Sequence, residues 1–179
     1  MFAVRCTQKL LSRGALKTLL EPCPPTTVLG DWYANVLVTS PEHLVVCMSE
    51  RALLPVVVTA KDVKRLPQRV AQAVADMLRA IGVPEVDVLA EIAEMKTRYL
   101  AKTADRRALG SLNDFMFHLE SGTGSDRNLS YQERAMRLAT IPCSPLSYAY
   151  PKEAALAAFV ARNAVAAAKS AASQETPRK

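Results

Sequence analysis

The chain has 179 residues, half of them hydrophobic and 22% charged, with a formal net charge of +6. That is the balance of a single globular domain large enough to bury a core without disulfide or metal staples. It excludes a membrane-spanning chain, since no apolar run approaches the ~20 residues that a membrane helix needs.

The positive charge favours contact with polyanions. Lys and Arg are nevertheless spread along the chain, whereas a dedicated nucleic-acid binder gathers them in one patch or arm. Four cysteines, Cys6, Cys23, Cys47 and Cys143, form no Cys-x-x-Cys pair, and only His43 and His118 accompany them. Clustered ligands at short spacing are absent, so no metal is expected. No secretory signal precedes the cysteines, and free thiols in a reducing cytosol are the expectation. The basic N-terminal segment with Arg5, Lys9, Arg13 and Lys17 holds one Ser, whereas transit peptides are Ser-rich.

In chain order, residues 1–6 are short and apolar and read as a strand. Thr7 caps a helix with Leu10, Leu11, Ala15 and Leu19 or Leu20 on one face. Pro22, Pro24 and Pro25 end it, leaving residues 21–27 extended. Gly30-Asp31 opens the next strand, where Trp32, Ala34, Val36 and Val38 alternate with Tyr33, Asn35 and Leu37. A turn at 39–43, marked by Ser40-Pro41, leads to an apolar strand at 44–48 that is covered on both faces. Ser49-Glu50-Arg51 breaks the pattern. The strand at 52–58 contains Pro55, which cannot donate to a ladder, so it is an edge strand or carries a bulge.

From Leu66 the apolar positions Val70, Ala73, Val74, Met77, Leu78 and Ile81 recur at spacings of three and four, an amphipathic helix closed by Gly82. Pro84 starts another helix, with Val88, Leu89, Ile92 and Met95 inward. Residues 97–102 read as a strand returning to the sheet. Leu109, Leu112, Phe115, Met116 and Leu119 make a helical stripe over 104–120. A loop at 121–128 precedes Ser130, which begins a short helix with Glu133 in a capping-box position. Pro142 and Pro145 bracket Cys143-Ser144. An Ala-rich helix spans 151–172, followed by a frayed polar tail. The fold class is α+β: an antiparallel sheet of three to five strands packed against several helices. Residues 1–150 form the domain and 151–179 the C-terminal helix and tail.

Several blocks then carry a resemblance. They are Cys6-Thr7-Gln8-Lys9-Leu10, Gly30-Asp31-Trp32-Tyr33-Ala34-Asn35, Ser49-Glu50-Arg51-Ala52-Leu53-Leu54-Pro55, Leu109-Gly110-Ser111-Leu112-Asn113-Asp114-Phe115 and Pro142-Cys143-Ser144-Pro145-Leu146. With them the chain resembles a family of small bacterial proteins of unknown function, from about residue 4 to about residue 150. The resemblance implies one domain in a bacterial cytosol and assigns no activity or site residue.

Two polar clusters are the candidate ligand-binding residues. The first joins Asp31, Asn35 and Trp32 with Glu50 and Arg51. Asp31 and Asn35 share one face of a strand, and a hairpin would bring Glu50 and Arg51 to Asp31. Carboxylates with an Arg would position a phosphate; the plainer alternative is a turn Asp paired across strands with an Arg. The second joins Arg106 and Arg107 with Asn113 and Asp114 around Gly110. A helix Gly is placed there for close packing or ligand approach, and Asn113 is expected to be part-buried. The alternative is a polar bridge to the sheet, or a helix that starts at Ser111.

There is no phosphate-binding glycine loop, no nucleophile in a recognisable setting and no cofactor motif. The expectation is a cytoplasmic, non-enzymatic binding or regulatory module contacting a protein or nucleic-acid partner, with no membrane, and with self-association through the C-terminal helix as a further possibility. The alternative is a small enzyme on a phosphate-bearing substrate, with Asp31, Glu50 and Asp114 as carboxylates and Arg51 and Arg107 as anion holders. It requires the two clusters to share a cleft.

Overall fold

The structure, a computed structural model, describes residues 1–14, 17–19, 23–39, 42–122 and 128–174. The Ser40-Pro41 turn, most of the 121–128 loop and the end of the tail lie outside them.

Among the described residues five strands form one sheet: β1 (Phe2–Cys6), β2 (Trp32–Val38), β3 (His43–Ser49), β4 (Pro55–Thr59) and β5 (Arg98–Lys102), in the order β4-β3-β2-β1-β5. Six α-helices accompany them among the described residues: α1 (Gln8–Gly14), α2 (Leu66–Ala80), α3 (Glu85–Glu94), α4 (Arg106–Ser121), α5 (Tyr131–Leu138) and α6 (Pro151–Gln174). The class is α+β. The sheet is mixed, which corrects the antiparallel expectation: β1 runs parallel to both β2 and β5, while β2, β3 and β4 are antiparallel. A strand pattern fixes which face a residue takes but carries no direction for its neighbour. Here α1 separates β1 from β2, and a helical crossover is what a parallel pair requires.

β-branched side chains stiffen the central strands, and residues 44–49 are all buried. Pro55 sits on β4, the terminal strand, as its missing N–H demands. The long helices follow their apolar spacing: Leu66, Val70, Val74, Met77 and Leu78 of α2 are buried, and so are Leu112, Phe115 and Leu119 of α4. Cys47 feels Arg69 of α2, whereas Tyr33 feels Asp105, the N-cap of α4. Tyr33 pairs with Met48, so Cys47 faces the other way. α2 packs against β4, and α4 against β2 and β3.

Two helix readings change. The described part of the helix after Thr7 is Gln8–Gly14, Ala15 and Leu20 lie outside the described residues, and Leu19 makes an isolated parallel bridge to Ala101 and is exposed. On α3, Leu89 points outward, and Asp87 and Glu91 take inward positions beside Val88. Burying carboxylates is costly unless they are hydrogen-bonded, and both are: Asp87 accepts from Arg162 and from Asn163 Nδ2, and Glu91 from the Val28 and Leu29 N–H groups. The capping box of Ser130 and Glu133 is present as the spacing predicts. On α6, Ala155 and Phe159 join the main core cluster.

Candidate functional site

The first cluster is built where β1, the start of β2 and the β3–β4 turn converge. The hairpin register that pairs Trp32 with Ser49 places Glu50 N–H on the Asp31 carbonyl at 2.8 Å and Arg51 N–H on that of Leu29 at 3.2 Å. Asp31 is fully buried. Its Oδ1 accepts the Ala3 N–H at 2.8 Å, and its Oδ2 accepts from Arg5 Nε at 2.8 Å and lies 2.7 Å from Arg5 Nη2. The Arg partner thus comes from β1 and not from Arg51. Glu50 Oε2 accepts the Asp31 N–H at 3.3 Å, and Arg51 Nη1 donates to the carbonyls of Thr27 and Val28, both at 3.2 Å. Asn35 Oδ1 accepts from Thr7 Oγ1 at 2.7 Å and from Val36 N–H at 2.8 Å. Trp32 is fully buried, and its Nε1 has no hydrogen-bond partner.

Gly30 explains why this turn closes so tightly. Its φ is +79°, in the left-handed region, and a Cβ there would stand 2.7 Å from Glu50 Oε2. Asp31, Glu50 and Arg51 thus tie 27–31 to its neighbours, while Asn35 accepts from Thr7 and Val36.

The second cluster opens outward. Asp105 caps α4 by accepting the Arg107 N–H at 2.7 Å, so the helix begins at Arg106, five residues before Ser111. Asn113 and Asp114 are exposed, in contrast to the expected part-burial of Asn113. A Cβ on Gly110 would meet nothing within 4 Å, so close packing is not its reason. Arg107 and Asp114 line a groove of about 650 Å³ with Phe117, His118, Cys143 and Tyr148. The facing wall is the 142–148 loop. The Cys143 carbonyl accepts from both Leu146 N–H at 2.9 Å and Tyr148 N–H at 3.0 Å. Ser147 and Tyr148 adopt φ of 54° and 64°, a strained conformation for residues with side chains. The Tyr148 side chain is 72% exposed and that of Phe117 66% exposed.

Burial first and Asp114 second push the Cys143 thiol above its ordinary value, so it is protonated and a poor nucleophile at neutral pH. Burial likewise pushes the Cys6 thiol up to about 12 and that of Cys47 well up. All four cysteines are free. Among the described residues no group of His, Cys, Asp and Glu has the geometry of a metal site, and no helix is long and apolar enough to cross a membrane.

Burial raises the Tyr33 hydroxyl above its ordinary value; among the nearby charges Arg5 opposes this, and Glu50, Asp105 and Asp31 add to it. Arg107 and Asp114 line the groove, and Arg51 lines a separate cleft beside α6. Two participants escaped the sequence reading. Arg5 is the lone charge in an apolar strand, and Glu91 falls on the helical face of Val88 and Met95. In both cases a charge on an apolar face was the available signal.

The mixed five-stranded sheet and its helices define an α+β domain. The model of a family described as a domain of unknown function (DUF6933) matches residues 3–154, and the chain belongs to that family. No curated protein and no solved structure matches it. The family match ends four residues into α6, before Phe159 and Arg162.

Proposed function

We propose that the chain is a small non-enzymatic binding module of the bacterial cytosol, docking a protein partner through the groove between α4 and the 142–148 loop. One observation carries this reading: Phe117 and Tyr148 are large aromatic side chains held exposed on the lining of one groove. Aromatic residues are enriched at the centres of protein interfaces, and exposed apolar patches mark interaction sites. Arg107 and Asp114 supply opposite charges in the same groove, which suits a protein surface better than a uniformly anionic nucleic acid. The phosphate-enzyme alternative loses support because the Asp31 oxygens are already taken by Ala3 and Arg5.

The test is gentle purification of the whole chain from its host, followed by mass spectrometry and absorbance. The partner protein is expected to travel with the wild type and to be lost from Phe117→Ser/Tyr148→Ser, with the unfolding midpoint unchanged. A chain that comes away alone, or a partner kept equally by the double variant, overturns the reading. Co-purified nucleic acid released by rising salt would replace the protein partner with a polyanion.

A further inference from the structure

A cavity lies along β4, the terminal strand of the sheet. Consecutive residues Val56, Val57, Val58 and Thr59 all line a cavity of about 380 Å³. A strand presents alternate residues to a face, so an unbroken run on one wall means that β4 is seen edge-on. The other walls come from α2, with Ala73 and Met77, and from the start of α5, with Tyr131.

The ladder fixes which backbone groups point into that edge. Ser49 N–H donates to the Leu54 carbonyl and Ala60 N–H to that of His43. Hydrogen-bonded pairs alternate along an antiparallel ladder, so the intervening bonded pairs are Cys47 with Val56 and Val45 with Val58. The N–H and C=O of Val57 therefore point away from β3. Thr59 points the same way, and its carbonyl accepts from Arg69 Nη1 at 2.8 Å. Among the described residues neither backbone group of Val57 makes a hydrogen bond, although the residue is 97% buried in complement to its 3% exposure. Backbone groups at buried positions are nearly always paired. This one is an open donor and acceptor on the wall of an apolar cavity.

We propose that this cavity binds a short extended peptide segment with an apolar side chain, which adds to β4 as a single β-bridge at Val57. One residue of an extended chain offers the matching acceptor and donor, and its side chain would enter the space lined by Ala73 and Met77. Pro55, which has no N–H, stops the addition at one end of the strand. α5, packed against β4, restricts it to a residue or two and so guards the edge against open-ended pairing. Arg69 and Asp76 both line the cavity, so no net charge is selected. The site is separate from the α4 groove, and its test leaves that reading untouched.

The probe is acetyl-Val-Leu-Val-amide, titrated into the full chain and followed by amide resonances and amide hydrogen exchange. The Val57 N–H is expected to shift and to gain protection. The same peptide N-methylated at its central residue, unable to donate, should bind about tenfold more weakly, the order for leaving a buried acceptor unmade. Ala73→Phe fills the cavity and should abolish the shifts. Gln132→Trp, at an exposed cavity position, provides a second block if that variant fails to fold. No change at Val57, equal binding of the N-methylated peptide, or unaltered binding to a folded blocking variant each overturns the proposal.

Discussion

Arg5 grips Asp31 from the neighbouring strand, with Nη2 2.7 Å from an oxygen that also accepts from Nε at 2.8 Å, while Asp31 itself has no exposed surface. The contact ties the segment ahead of β2 to the middle of β1, across one of the two parallel pairs that make the sheet mixed.

Removing one partner of such a pair leaves a buried charge without compensation. Arg5→Met is expected to destabilise the fold by about 3–5 kcal/mol. Asp31→Ala falls in the same range, because it also strands the Ala3 N–H. Urea unfolding checks both: the midpoint should fall with the slope unchanged. A loss under about 1 kcal/mol for both variants would mean the pair contributes little.

Gly30 and Gly110 should respond to alanine with opposite signs. Gly30 combines a φ of +79° with a Cβ position 2.7 Å from Glu50 Oε2, so Gly30→Ala should cost about 1–3 kcal/mol. Gly110 lies within α4 with open space where a Cβ would go, and Gly110→Ala should stabilise by about 0.5–1 kcal/mol. Thermal melts of the two variants beside the wild type decide this.

Glu91 and Glu42 should give opposite pH dependences. Burial raises the Glu91 carboxyl above its ordinary value of about 4.5, against the lowering effect of the Val28 and Leu29 N–H groups. As pH rises past 4.5 the unfolded chain releases this proton first, so stability from Glu91 falls until the folded group has also ionised. Glu42 is held below 4.5, first by the Tyr131 hydroxyl and then by Arg134. Its stabilisation is present above 4.5 and is lost as pH falls through the folded value. Relative to Glu91→Gln, the wild type should lose ground as pH rises above about 4.5; relative to Glu42→Gln, it should lose ground as pH falls below about 4.5. Parallel trends for the two variants would contradict this assignment.

Phe159 lies beyond the family match yet is 2% exposed. Phe159→Ala should cost about 3–5 kcal/mol, as for other large core truncations. Arg162→Ala leaves Asp87 with Asn163 alone and should speed proteolysis within α6. If both variants keep wild-type stability and protease resistance, α6 is not part of the domain's core.

The sequence by itself determined the local periodicities: the first three strands to within a residue or two, the apolar faces of α2 and α4, the restriction of Pro55 to an edge or a bulge, and the Ser130 capping box. These follow from side-chain spacing and backbone chemistry within a few residues. It also brought Glu50 and Arg51 to Asp31, because a hairpin links them locally. Tertiary structure alone decided the strand directions, since alternation is the same in parallel and antiparallel neighbours. It decided that Asp31 answers to Arg5, 26 residues away. It turned Leu89 out and Glu91 in, because an apolar count cannot register carboxylate oxygens finding two backbone N–H groups 62 and 63 residues distant. And it set Arg107 and Asp114 opposite a loop some thirty residues further along, because a groove is a relation between surfaces, and spacing within one helix specifies only its own side.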